Sequence, residues 1–237
     1  MASLTTLKTM LCGSDGSQGV LQDSSYYSAI TTWINDAVTA IAAGIRMPDG
    51  QISPPLPDLF DTDTVDTSTD NAYVSLPSDY QRNLFMVADS SGYKISYPRN
   101  GGYYSWGLFI QQISMKDLSE TGDVSVVCVR GTKLYYQGIP SSSKTLTVHF
   151  YRAPVDLSDD DDEVDGIPEH LQKRLIKHWV CKEIFGEGLE DADNSGKSAV
   201  SYHTAKFYEA MTDLIDYVGL YDETPQYFGT DAEEYEW

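Results

Sequence analysis

Thr145-Leu146-Thr147-Val148-His149-Phe150-Tyr151-Arg152 is followed by Ala153-Pro154 and then by Asp156-Leu157-Ser158-Asp159-Asp160-Asp161-Asp162-Glu163-Val164-Asp165-Gly166, after which Ile167-Pro168-Glu169-His170 opens a long helical pattern. In the first segment Leu146, Val148 and Phe150 fall on one side, and Thr145, Thr147, His149 and Tyr151 on the other. That two-residue period is a strand with one buried face. Proline in the first helical turn is favourable, because the N–H it lacks would be unpaired there anyway. Leu171, Leu175, Ile176, Trp179, Val180 and Ile184 then recur at helical spacing. A strand, a dense acidic loop and a proline-started helix lie back to back, and none carries a catalytic signature. The stretch points to assembly or scaffolding rather than to chemistry.

Upstream, the strand closes a β-rich region. Ala72 to Pro77 reads as a strand, and 84–87 with 93–97 as a hairpin around Asp89-Ser90-Ser91-Gly92. Segments 108–113, 124–129, 133–137 and 145–151 continue the series, with Arg130-Gly131-Thr132 as a short turn. About seven short strands with turns between them predict an antiparallel sheet or small barrel. Residues 48–70, rich in Pro, Asp, Ser and Thr, read as a loop lying on or near a neighbour.

Helices flank this region on both sides. Leu4, Leu7 and Leu11 allow a short one over 4–12. Asp23, Ser24 and Ser25 offer caps to a longer one over 26–45, with Tyr26, Ile30, Trp33, Ile34, Ala37, Val38, Ile41 and Ile45 on one face. Gly44 and Met47-Pro48-Asp49-Gly50 end it. A third long helix over 197–218 carries Val200, Thr204, Phe207, Met211, Leu214, Ile215 and Val218 as its stripe. The fold expected is α+β: a bundle of three long helices with an inserted antiparallel sheet or small barrel. Residues 1–47 and 166–220 would form the bundle, 71–152 the insertion, and 221–237 an extended docking tail. That tail holds six acids, no base, and the aromatics Tyr227, Phe228, Tyr235 and Trp237. It is too polar to fold alone, yet its aromatics suit anchoring on a partner.

Composition narrows the function. The 237 residues are 41% hydrophobic, enough for a real core, and carry a net charge of −20. Such a chain does not bind nucleic acid through its overall field, since that requires Lys and Arg on the phosphates. An acidic wall that lets DNA slide past is one use of the charge, and plain solubility is the other. Cys12, Cys128 and Cys181 are odd in number and widely spaced, which argues against a disulfide framework or zinc cluster and for a reducing compartment. No run approaches the roughly 18 apolar residues of a membrane span. The first residues lack the basic start and apolar block of a signal peptide. Seventeen tyrosines fit interfaces or half-buried sheets.

Motifs for chemistry are weak. Asp161, Glu163, Asp165 and Gly166 mimic the first half of a calcium loop, but the twelfth position is Gln172 and Pro168 starts a helix inside it. His170 and His178 lie about 80° apart around one helix and do not make a close ligand pair. Cys181, three residues after His178, could share its face, but two ligands do not make a site. His149 and His203 sit on other elements. There is no Gly-x-Ser-x-Gly, phosphate-binding loop or His-Glu-x-x-His. No cofactor, metal or catalytic group is expected. Arg82, Arg99, Arg130 and Arg152 are expected to pair with carboxylates, within the subunit or across a boundary.

Four features, taken in order, resemble the head-to-tail connector proteins of tailed bacteriophages, also called adaptor, collar or tail-accessory proteins. They are Leu4-Thr5-Thr6-Leu7 before the helix Ile30 to Val38; Tyr73-Val74-Ser75-Leu76-Pro77-Ser78-Asp79-Tyr80-Gln81-Arg82 entering the β part; Leu146 to Leu157 closing it; and the acidic stretch leading into Ile167-Pro168-Glu169-His170. The resemblance spans roughly residues 1–218. The strand region between Ser90 and Lys144 is longer than the family's, and the tail after Val218 has no residue-by-residue match.

The resemblance implies a non-enzymatic virion protein of the neck, assembled in the host cytoplasm. It implies a homo-oligomeric ring, usually of twelve copies, between the portal protein and the tail tube or nozzle protein. Such a ring extends the DNA channel, and DNA passes without specific binding. Asp159, Asp160, Asp161, Asp162 and Glu163 would then face the channel, and by analogy Tyr227, Phe228, Tyr235 and Trp237 would dock on the portal. Rival readings are another ring-forming tail protein, such as a tail terminator or tube component, and, further off, an acidic hydrolase or a DNA-mimic inhibitor.

Overall fold

The computed structural model describes residues 2–13, 21, 29–95, 99–100, 103–104, 106–112, 118–186 and 195–219. They divide into two compact units, one holding the residues up to Leu59 together with those from Ala153 onward, the other holding Phe60 to Arg152.

In the first unit, helix α1 (Leu4–Cys12) buries Leu4, Leu7 and Leu11, and α2 (Ile30–Ala43) buries Ile30, Ile34, Ala37, Val38 and Ile41. The helix expected over 26–45 is therefore shorter in its described part. Its start at Ala29 has no side-chain cap, and Asp23 to Ser25 lie outside the described residues. Helix α4 (Glu169–Gly186) begins directly after Pro168, and α5 (Ser195–Val218) follows. The buried residues of α4 include Leu171, Gln172, Ile176, Val180, Cys181 and Ile184, which are spread around most of its circumference. A helix buried on several sides has neighbours on several sides. Accordingly α5 packs on α4, while α4 also packs on α2 and α1.

The bundle of three long helices is thus corrected. Three helices of 9, 14 and 24 residues gather around the 18-residue α4. Apolar stripes told which face of each helix is covered but not by which partner.

In the second unit, β1 (Phe60–Asp66), β8 (Thr145–Arg152) and β3 (Tyr80–Ala88) form one antiparallel sheet in the order β1-β8-β3. A second has the order β2-β7-β6, from β2 (Tyr73–Ser75), β7 (Lys133–Gln137) and β6 (Val126–Arg130). A short ribbon pairs β4 (Arg99–Asn100) with β5 (Tyr103–Tyr104). The single sheet or barrel expected is instead two sheets face to face. Val65, Val87, Val148 and Phe150 from one meet Val127, Leu134 and Tyr136 from the other in a shared core. β8 alternates as its sequence dictates, with Leu146, Val148 and Phe150 buried.

Two elements depart from expectation. Residues 60–66, part of the expected loop, are strand β1, and residues 106–112, which overlap an expected strand, are helix α3 (Trp106–Gln112). Phe109 of α3 is buried against Cys128, with Trp106, Leu118, Val126 and Tyr135 around them. The turn at 89–92 forms as expected: the Asp89 carboxylate accepts from Ser91 N–H at 2.8 Å and Tyr93 N–H at 2.9 Å. β1 is an edge strand, and its Thr62 and Thr64 N–H groups are donated to the carboxylates of Asp61 and Asp63, each at 2.7 Å. Side chains that occupy edge donors hinder strand addition from another chain.

Candidate functional site

The acidic run is a structural part of the first unit. The opening N–H groups of a helix have no partner within the helix. In α1, Leu4 N–H donates to the carbonyl of Asp162 at 2.9 Å, and Thr5 N–H to that of Asp160 at 3.1 Å. Thr5 Oγ1 also donates to Asp160 O at 2.8 Å, and Ser3 Oγ accepts from Thr6 N–H at 3.3 Å. The backbone of the acidic loop therefore caps α1. Asp160 adds an ion pair to Lys8 at 3.1 Å, and a carboxylate near a helix N-terminus opposes the macrodipole favourably.

Three further contacts fix the loop. Asn35 of α2 grips Leu157 twice, donating from Nδ2 to its carbonyl and accepting its N–H at Oδ1, both at 3.0 Å. Gln172 of α4 is fully buried. Its Oε1 accepts Ala2 N–H at 2.7 Å, while Nε2 donates to Ile167 O at 2.7 Å and Val164 O at 3.3 Å. Gly166 has φ +77, and a Cβ there would lie 2.6 Å from Leu59 Cγ, so only glycine fits.

The five acids divide by role. Asp162 is half-buried, and its Oδ2 accepts the N–H groups of Ser158 at 2.7 Å and Asp159 at 2.8 Å, and the Ser158 hydroxyl at 3.1 Å. Those bonds hold its carboxyl below the usual carboxylate range. Asp159, Asp160, Asp161 and Glu163 present exposed side chains from this fixed frame. Leu157, Val164 and Ile167 point inward between them. The result is a rigid anionic surface. Asp165 Oδ2 accepts Val155 N–H at 3.3 Å, and Glu163 pairs along the backbone with Ser3. Among the described residues, no three or more His, Cys, Asp or Glu side chains are grouped to hold a metal ion.

The structure brings together two histidines the sequence had kept apart. His178 of α4 and His203 of α5 are buried, with Nδ1 to Nδ1 at 2.9 Å. Tyr202 meets both rings edge-on, and Phe185 stacks on His203. Burial first, and then His203, Lys177, Arg174 and Lys206, lower the His178 pKa to about 4. Burial and Lys177 lower that of His203. The signal for His203 lay at 203, 207, 210, 211 and 214, the buried positions of α5, where Thr204 had been assigned to the stripe. His170 packs edge-on against Tyr217, and His149 Nδ1 bonds Thr62 Oγ1 at 2.9 Å.

Arg152 pairs with Asp61 at 3.6 Å, as expected of the arginines, whereas Arg130 lies 4.7 Å above the Trp106 ring. Tyr227, Phe228, Tyr235 and Trp237 fall outside the described residues. No helix among the described residues is long and apolar enough to cross a membrane. A family model described as SU10 adaptor protein matches residues 12–227. No curated protein matches the chain.

Proposed function

The chain belongs to the SU10 adaptor protein family, matched over nearly its whole length, and on that premise we propose that it closes into a ring between the portal and the tail of the virion. As a phage adaptor it is a structural virion component that works by contacts with other head and tail proteins. In the proposed assembly about twelve copies surround the DNA path, a number the family resemblance supplies. Closure uses heterologous contacts, which succeed only at a fixed rotation per subunit. Asp159, Asp160, Asp161 and Glu163 line the channel, and Asp162 holds the loop that presents them. Tyr227, Phe228, Tyr235 and Trp237 anchor the ring on the portal, while the β unit faces the tail tube or nozzle.

The observation that carries the channel assignment is the rigidity of the anionic loop. Solubility alone needs acids anywhere on the surface. Here an uninterrupted acidic run is bonded to α1, and its flanks at Leu157 and Ile167 are bonded to α2 and α4, so its charge sits at a defined place in every copy. Stacked around a ring, such loops repel phosphate from all sides and leave DNA free to move.

Electron microscopy of the purified chain, alone and mixed with the portal ring of its own genome, tests the ring and its position. Symmetric density at one end of the portal is expected, and removal of residues 221–237 is expected to abolish it. A chain that ignores the portal overturns the proposal. For the channel, virions carrying Asp159→Asn, Asp160→Asn, Asp161→Asn and Glu163→Gln are expected to assemble yet release DNA more slowly. Unchanged ejection would remove the loop from the DNA path.

A further inference from the structure

The outer face of the β2-β7-β6 sheet carries a continuous strip of cations and aromatic rings. Lys133 and Tyr135 are two residues apart on β7 and so share a face. Tyr73 of β2 pairs with Tyr135, and Arg130 of β6 pairs with Lys133. The opposite face, with Leu134, Tyr136 and Val127, belongs to the core. On the outer face Lys133 Nζ stands 3.9 Å above the Tyr73 ring, and the Tyr73 and Tyr135 ring centroids are 5.5 Å apart. Trp106 meets Tyr135 edge-on at 4.8 Å, and the Arg130 guanidinium covers Trp106. Helix α3 shields the end of this face near Cys128, and the end at Tyr73, Lys133 and Arg130 has exposed surface.

The charge on this strip is unusual for the chain. Acids outnumber Lys and Arg by 36 to 16, yet among the described residues neither Arg130 nor Lys133 forms an ion pair. Each lies over a ring instead, leaving its outer side open to a carboxylate. Being direct partners across a tight turn, the two set positive charges side by side. A polypeptide with acids next to aromatic residues fits such a strip, since rings extend the stack while carboxylates meet the cations.

The chain contains one segment of that chemistry. Glu233-Glu234-Tyr235-Glu236-Trp237 alternates acids and rings, and no base occurs after Lys206. Residues 220–237 lie beyond the last described residue, and in extended form such a length reaches roughly 60 Å. We propose that, before assembly, this acidic aromatic tail docks on the Tyr73–Lys133–Arg130 strip, of its own copy or a neighbour's. The strip thereby shelters Tyr235 and Trp237 until a stronger site is offered. This goes beyond the portal anchoring proposed above and is tested without any portal.

A water-soluble carbodiimide, applied to the full-length chain at low salt, joins amines to carboxylates that are in contact. Peptide mapping is expected to find Lys133 joined to Glu233, Glu234 or Glu236. Arg130→Gln leaves the reporting amine in place, adds no carboxylate beside it, and is expected to cut that product about tenfold, the loss expected when a charge-assisted contact is removed. Lys173→Gln, an equal charge change on the exposed side of α4, is expected to leave it unaltered. Tyr235→Ala with Trp237→Ala changes only the tail, so a misfolded sheet cannot produce its effect, and it too is expected to cut the product. Absence of any Lys133–tail product, or a yield indifferent to both Arg130→Gln and the tail substitutions, overturns the proposal.

Discussion

Acidification will loosen α5 from α4 through the His178–His203 pair, and His178→Gln will remove most of that sensitivity. His178 titrates near pH 6.5 when unfolded and at about 4 in the fold. Because the folded value is the lower one, the unfolded chain takes up more protons between those limits. Stability is therefore complete above about pH 6.5, withdrawn as pH falls, and level again below about pH 4. At about 1.4 kcal/mol per pH unit, the withdrawal approaches 3 kcal/mol for a side chain only 8% exposed. The groups facing the pair are Lys177 and Arg174 on α4, and Lys206 and Tyr202 on α5. The cations among them oppose a further positive charge. At neutral pH His178→Gln loses one buried hydrogen bond and is expected to be less stable by about 1 kcal/mol. By about pH 4 the order reverses, the difference having swung by about 2–3 kcal/mol through the same linkage. Urea unfolding followed by far-UV ellipticity, at half-unit pH steps, measures both proteins. The hydrogen-bonded carboxyls of Asp162 and Glu209, which withdraw stability as pH falls further, lie apart from the substituted position, are common to both proteins and cancel in the difference. A difference that stays flat from neutral pH to about 4 would refute the reasoning.

Gln172→Ala leaves a buried N–H and two buried carbonyls without this partner and is expected to cost about 2–4 kcal/mol in urea denaturation; a loss below about 1 kcal/mol would mean that water or rearrangement replaces it. Gly166→Ala is expected to cost about 2 kcal/mol or more, from positive φ and the clash with Leu59. Adding Leu59→Ala to both sides of that comparison is expected to shrink the cost, a coupling that a double-mutant cycle reads directly. Asp63→Ala frees the Thr64 N–H on the edge of β1, and sedimentation at rising concentration is expected to show more self-association than the unaltered chain.

The sequence made some elements plain because their local and tertiary preferences agree. β8 alternates strictly, β7 was expected at 133–137 and lies there, and Pro168 marks the start of α4. β1 was hidden because only Val65 among its seven residues is buried, so Phe60-Asp61-Thr62-Asp63-Thr64 looks like a polar loop. In 106–112 the apolar run Leu108-Phe109-Ile110 is too short for periodicity to separate strand from helix. The acidic run was legible as an exposed surface but not as the cap of α1. Its carbonyls and the Asp160 carboxylate make those contacts across more than 150 positions, for which composition carries no signal. The histidine pair joins two helices, and spacing within either one says nothing about it.

The bond from Ala2 to Gln172 spans 170 positions, and it has a consequence for synthesis. At about 5–20 residues per second, a ribosome needs on the order of 10–30 s to travel from the first helix to the residues that cap and clamp it. Throughout that interval Leu4, Leu7 and Leu11 lack their cover from α4, while Phe60 to Arg152, contiguous in the chain, emerges and can fold. The earliest helix made is among the last that can be finished. A nascent copy can therefore carry a folded β unit behind a leading helix that still lacks its cap and its cover from α4.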